Sequence, residues 1–309
     1  LATMVVTNHY KPFVRTRYEA FFTLAFHVPV EQARRIILAG ALAALRKGNG
    51  LLDEPRPQVL VHKTTELGVC YKLRYWIKPW QGTSPSRSRN AISTQVLHHL
   101  QAAGLRPAYP RRAIHHDNSS TTALKTVRET DTIASRITLL KQVDLFQELT
   151  TDELRSVAES LTRREVASGE VLIMIGEPGD AMYVVLEGLL TVHGTHNGQQ
   201  TELACLEPGS VAGEMSVLTG ESRSAMVLAL TDAIVYALPK TMMLTLLESR
   251  PELIKTIGRL MIERRILSEE GLNSLAPTQE ALTDPEGLQG ALVNKIFDLL
   301  RNVAGGGGS

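Results

Sequence analysis

The stretch Gly213-Glu214-Met215-Ser216-Val217-Leu218-Thr219-Gly220-Glu221-Ser222-Arg223-Ser224-Ala225-Met226-Val227 decides how this chain is read. A Gly-Glu pair leads into a short turn of small residues, and one arginine then enters a strand. Gly213 permits either close backbone approach or a positive φ. Main-chain N–H groups around Met215 and Ser216 can then point at an anion, as in other backbone nests. Arg223 adds an always-protonated fork suited to phosphate oxygens. Glu214 only accepts hydrogen bonds, so it suits ribose hydroxyls rather than phosphate. An anion cradle beside a carboxylate predicts a site for a sugar phosphate.

Working outward, Gly169-Glu170-Val171-Leu172-Ile173 and Gly176-Glu177-Pro178-Gly179-Asp180-Ala181-Met182-Tyr183-Val184-Val185-Leu186-Glu187-Gly188 are short β-branched runs broken by Gly, Pro and Asp. That pattern predicts an antiparallel roll of short strands. Upstream, Leu139-Leu140, Leu145-Phe146 and the span from Leu149 to Leu161 have helical spacing, with a capped start at Thr151-Asp152-Glu153-Leu154. Downstream, Pro239 to Leu247 and Pro251 to Leu267 predict two further helices.

The cassette resembles that of the cyclic nucleotide-binding domain found in regulatory subunits, channels and transcription activators. The family pattern is Phe-Gly-Glu, a few apolar and small residues, then Arg-Ala/Ser/Thr-Ala. Here it reads Ala212-Gly213-Glu214 and Arg223-Ser224-Ala225, without the aromatic. The resemblance covers about residues 137–270. It implies a site built from Gly213, Glu214, Met215, Ser216, Arg223, Ser224 and Ala225. It also implies that the last helix closes as a lid, with Arg264 a candidate to stack on the base by a cation–π contact. The implied ligand is cyclic AMP, or cyclic GMP, with no cofactor. Ser224 lies where family members carry Thr for guanine or Ala for adenine, and the expectation is a modest preference for cyclic AMP.

The first hundred residues read differently. Residues 18–28 predict a strand stopped by Pro29. Val30 to Leu45 predicts a helix, ended by Gly48 and Gly50. Gln58 to Thr64 and Val69 to Ile77 predict strands split by Glu66-Leu67-Gly68, and Ser86 to Ala103 a second helix closed by Gly104. Strand, helix, strand, strand, helix suggests a small ferredoxin-like α+β unit. With Val5-Val6-Thr7-Asn8-His9-Tyr10 before it and Gly104-Leu105-Arg106-Pro107-Ala108-Tyr109-Pro110 after it, the segment resembles the cytoplasmic part of the small-conductance mechanosensitive channel family. That resemblance implies a vestibule domain, a homoheptamer in the parent channel, and a cytoplasmic position at the inner membrane, reached through a pore region absent from this chain.

The expected organisation is the end of a β-domain at 1–17, an α/β domain at 18–112, a polar linker at 113–136, the nucleotide domain at 137–270, a tail helix at 271–304 and an engineered GGGGS linker at 305–309. Leu1 is not a natural start, so a fragment is expected. No signal peptide and no run of 18 apolar residues occurs. The fold class is α+β, a ferredoxin-like α/β domain followed by a β-roll with flanking helices. Net charge is +1 over 309 residues, which calls for no nucleic acid or membrane surface. Cys70 and Cys205 read as reduced core residues. Adjacent pairs His98-His99 and His115-His116 point about 100° apart on a helix and do not suit one metal ion. No nucleophile elbow, Walker loop or zinc spacing occurs, so no enzyme is expected. Two alternatives stay open: a soluble regulator such as a transcription activator, and a scaffold whose cassette binds another anion or none.

Overall fold

The computed structural model describes residues 15–48, 50–78, 83–108, 131–196 and 199–250, together with Leu253, Ile254, Ile257 and Ile296. The chain divides into two compact units, Leu1–Arg128 and Glu129–Ser309.

The first unit follows the expected order. Its elements are β1 (Thr16–Leu24), α1 (Val30–Arg46), β2 (Gln58–Thr65), β3 (Gly68–Ile77) and α2 (Pro85–Ala102). The three strands form an antiparallel sheet in the order β1-β3-β2. Alternation along β3 sends Tyr71, Leu73, Tyr75 and Ile77 into a core shared with Ile36 and Ile37 of α1 and Ile92, Val96 and Leu100 of α2. The first strand stops four residues earlier than expected. The chain turns at Ala25, where Val28 N donates to Ala25 O at 3.1 Å, before Pro29 opens α1. An antiparallel bridge joins Leu24 to Pro107. Residues 1–14 and Tyr109 onward to 130 lie outside the described residues.

The second unit opens with α3 (Ile133–Leu140), a 3-10 turn (Asp144–Phe146) and α4 (Thr151–Ser160). The first four residues of α3 occupy the end of the span expected to be linker. The reason is a capping box at Thr132 and Ser135, with Thr132 N donating to Ser135 Oγ at 2.9 Å. A second capping box sits at α4, one residue before the predicted start: Thr150 N donates to Glu153 Oε2 at 2.7 Å.

Short strands follow: β4 (Thr162–Val166), β5 (Val171–Ile173), β6 (Ala181–Glu187), β7 (Leu190–His196), β8 (Gln199–Leu206), β9 (Val211–Ala212), β10 (Met226–Ala229) and β11 (Ala233–Pro239). They build two four-stranded antiparallel sheets, β5-β10-β7-β8 and β4-β11-β6-β9. The helices α5 (Glu214–Thr219) and α6 (Lys240–Ser249) complete the described elements. Strand β6 is covered on both faces. Val185 joins the roll interior with Val166, Ile173, Leu190, Val227 and Val235. Met182 and Val184 face the helices, in a core with Phe146, Leu154, Val157 and Leu247. Fully burying side chains of this size contributes about 1.5–3 kcal/mol each. Leu253, Ile254 and Ile257, within the predicted lid helix, are helical and buried in that core, as is Ile296 of the predicted tail helix. The rest of 251–304, Arg264 included, and the GGGGS segment lie outside the described residues.

Candidate functional site

The stretch read as a small-residue turn is a helix. Gly213 adopts φ 80°, in the left-handed region, and starts α5; Gly220, at φ 76°, ends it. Both options left open for Gly213 apply, because a Cβ there would also collide with Arg223 Nη1 and lie 3.0 Å from Ile173 Cδ1. Val217 and Leu218 are fully buried and hold α5 against the helical core. Thr219 Oγ1 donates to Met215 O at 2.8 Å, and Gly220 N donates to Ser216 O at 3.0 Å. No side chain caps the N-terminus of α5. The first-turn N–H groups of Met215 and Ser216 have no acceptor within the helix, as for any helix start.

Arg223 lies in the irregular segment before β10, three residues short of the strand, and is 6% exposed. Its Nη1 donates to Gly213 O at 2.6 Å, and its Nη2 donates to Ala181 O at the start of β6. Its main chain is tied as well: Arg223 N donates to Glu177 O at 2.8 Å, and Gly176 N donates to Arg223 O at 2.9 Å. Among the described residues no carboxylate forms an ion pair with it. Burial pushes its pKa down, and the fields of Tyr183, Asp180, Glu177 and Glu214 oppose that. The guanidinium remains charged, since no protein environment deprotonates it at neutral pH. It is therefore a buried cation whose partners are neutral carbonyls, next to an uncapped helix start. That arrangement favours an anion and offers further N–H donors to hold it.

The structure gathers Gly213, Glu214, Met215, Ser216 and Arg223 around this point. Glu214 is half-buried, at the first position of α5. Met215 packs its side chain on the helical core, so its main chain alone serves the site. Ser216 is 3% exposed. Ser224 is exposed and Ala225 half-buried in the bend leading to β10. Sequence reasoning missed the opposite wall. Ala181 supplies a carbonyl, Glu177 a second one, and Gly179 lies against Ser216. The run Gly176-Glu177-Pro178-Gly179-Asp180 was visible as a turn, but no spacing rule connects it to residues about forty positions later. Of the adjacent histidines on α2, His98 is exposed and His99 buried, with their rings edge to face.

Residues 163–250 match the family model of the cyclic nucleotide-binding domain. A cyclic nucleotide-gated potassium channel of Mesorhizobium japonicum is 37% identical over 127 residues, covering 41% of this chain and 34% of that protein. The cyclic AMP receptor protein of Thermus thermophilus is 32% identical over 126 residues, covering 40% of this chain and 58% of that protein. The solved catabolite activator protein of Thermus thermophilus shares 24% identity at a TM-score of 0.38, covering 52% of this chain and 88% of that one. The chain spans about a third of the length of the channel relatives it matches. These relatives lend no support to the mechanosensitive part of the sequence expectation. Among the described residues no helix is long and apolar enough to cross a membrane. The second unit thus contains a cyclic nucleotide-binding domain, and the cradle of Gly213, α5 and Arg223 lies inside the matched span.

Proposed function

We propose that the second unit binds a cyclic nucleotide and that the chain is the regulatory part of a ligand-gated ion channel. The observation that carries the binding reading is Arg223: a buried cation, held only by carbonyl oxygens, facing an uncapped helix start. The cyclic phosphate takes the guanidinium and the first-turn N–H groups of α5. The Glu214 carboxylate accepts from the ribose 2′-hydroxyl, and Ser224 and Ala225 border the ring. Arg264 stacks on the base when the lid closes. Cyclic AMP is the ligand, modestly preferred over cyclic GMP. Ligand biases gating because it favours the lid-closed state over the lid-open one.

The channel reading is supported by the names of the relatives, cyclic nucleotide-gated potassium channels. The first unit, with its β-α-β-β-α order, then serves as a vestibule domain at the cytoplasmic face of the membrane. That assignment, with a mechanosensitive-type parent and a heptameric assembly, rests on the sequence resemblance of residues 1–112 alone. No catalytic residues are assigned. Calorimetric titration of the purified chain with cyclic AMP and cyclic GMP tests the binding reading. One site per chain is expected. A preference for cyclic GMP above about tenfold, roughly 1.4 kcal/mol, would reverse the base assignment. Native mass spectrometry of the full-length parent tests the assembly, and a stable dimer there would remove the vestibule reading.

A further inference from the structure

The loop between β5 and β6 forms the wall opposite α5, and it is pinned on both sides of Gly179. Gly176 N and Glu177 O bond the main chain of Arg223, at 2.9 and 2.8 Å. Lys240 N donates to Asp180 O at 2.8 Å, and Arg223 Nη2 donates to Ala181 O. Gly179 itself is buried, and its φ lies outside the left-handed region. Backbone freedom is therefore not what this glycine supplies. It supplies room. A Cβ at 179 would lie 2.5 Å from Ser216 Cβ, 2.9 Å from the Ser216 carbonyl carbon and 3.1 Å from its oxygen. Carbon atoms in good contact stand about 3.5–4.0 Å apart, so a methyl group here forces something to move.

We infer that Gly179 is a positioning residue of the anion site: its missing side chain lets the first turn of α5 lie against the loop that anchors Arg223. The inference rests on the binding function proposed above. A methyl at 179 can be accommodated in two ways. If the loop yields, it carries Arg223 with it, because residues 176, 177 and 181 are bonded to that arginine. If α5 yields, its first-turn N–H groups move instead. Either way the two halves of the cradle separate. Gly188 is the contrasting case. It adopts φ 92°, and a Cβ there would meet Asp232 O and Ala233 Cα at 2.5 and 2.7 Å, between β6 and β7 and without contact to the cassette. That glycine serves the fold alone.

The experiment titrates cyclic AMP into the wild-type chain, Gly179→Ala, Ser216→Gly, the double variant and Gly188→Ala, with thermal unfolding of each without ligand. Gly179→Ala is expected to weaken binding by about tenfold or more, the scale of overpacking a tight contact. Adding Ser216→Gly removes the nearest atom and should recover at least about threefold of that loss. Gly188→Ala should lower the melting temperature yet leave the affinity of the folded protein within about threefold of wild type. Should Gly179→Ala fail to fold, Ser216→Thr grows the same contact from the helix side and carries the same expected loss. If wild type binds and Gly179→Ala, or Ser216→Thr in its place, binds within about threefold of it, the inference is overturned while the Arg223 site stands. A loss that Ser216→Gly does not relieve also overturns it, since the contact is then not the cause. Failure of wild type to bind removes the proposed function together with the inference.

Discussion

Two arginines of the second unit make opposite use of burial. Arg136 of α3 has an 18% exposed side chain and is surrounded by partners. Its Nε and Nη2 donate to the two carboxylate oxygens of Asp131 at 2.7 and 2.9 Å, and its Nη1 donates to Ala158 O and Leu161 O at the end of α4. The guanidinium also lies 5.2 Å from the ring centre of Tyr236, whose hydroxyl donates to Asp131 Oδ1 at 2.6 Å. Hydrogen bonding to Asp131 pushes the pKa of Arg136 up, and the bond from Arg136 holds that of Asp131 down. Arg223 is more buried and, among the described residues, has no carboxylate in contact, and its pKa moves down through burial. Burial alone therefore does not mark a functional arginine. An arginine already neutralised by a carboxylate fastens the fold; one satisfied only by carbonyls keeps a charge that an anion can still neutralise.

Replacing each arginine separates the two roles. Arg223→Ala should weaken cyclic AMP binding by about 2–5 kcal/mol, or roughly thirty-fold to a few thousand-fold. Calorimetry reads this, with circular dichroism to confirm folding. Binding of folded Arg223→Ala within about threefold of wild type would dissolve the contrast. Arg136→Ala should do the reverse. It removes charge-assisted bonds to Asp131 and two carbonyls, which lowers unfolding stability by about 2–3 kcal/mol in denaturant titrations, with cyclic AMP affinity nearly unchanged.

Smaller changes sharpen the comparison. Tyr236→Phe removes one bond to a charged acceptor and should cost about 1–2 kcal/mol of stability, again without an effect on binding. Asp131 also gives the clamp an acid limit. Its folded pKa is depressed below the ordinary 3.8, so its contribution is present above that value and is lost as pH falls through the folded pKa. Asp131→Asn should be less stable than wild type at neutral pH, and the gap should narrow below about pH 4 in equilibrium unfolding. Glu214→Gln is expected to have the smallest effect, under about 1 kcal/mol in affinity, because an amide oxygen still accepts from a hydroxyl. A larger loss would show that Glu214 acts through its charge rather than as an acceptor.

Local signals were read well where the physics is local. The period of two in Gly68–Ile77 and the helical spacing of Val30–Arg46 placed β3 and α1 within a residue or two. The misreadings have equally local causes. The segment after Gly213 looked too short and small for a helix, yet two left-handed glycines with six residues between them delimit α5. Residues 133–136 looked like linker because polar composition hides a Thr-Ser capping box. Arg223 was singled out as a candidate from its chemistry in the chain alone. Its anchors were not, since a carbonyl such as that of Ala181 has no side-chain signature.

By itself the sequence determined most element types, α5 and the start of α3 excepted, the order of the two units, and the presence of one arginine and one carboxylate near a glycine. Those properties follow from periodicity, turn chemistry and side-chain charge within windows of about ten residues. Tertiary structure alone decided which distant strands pair, such as β4 with β11, and that Ala181 O and Gly213 O grip Arg223. It also decided that Gly179 must lack a side chain to admit Ser216. The reason is that these depend on close packing between segments far apart in the chain, where a single methyl group is felt, and no local pattern encodes that proximity.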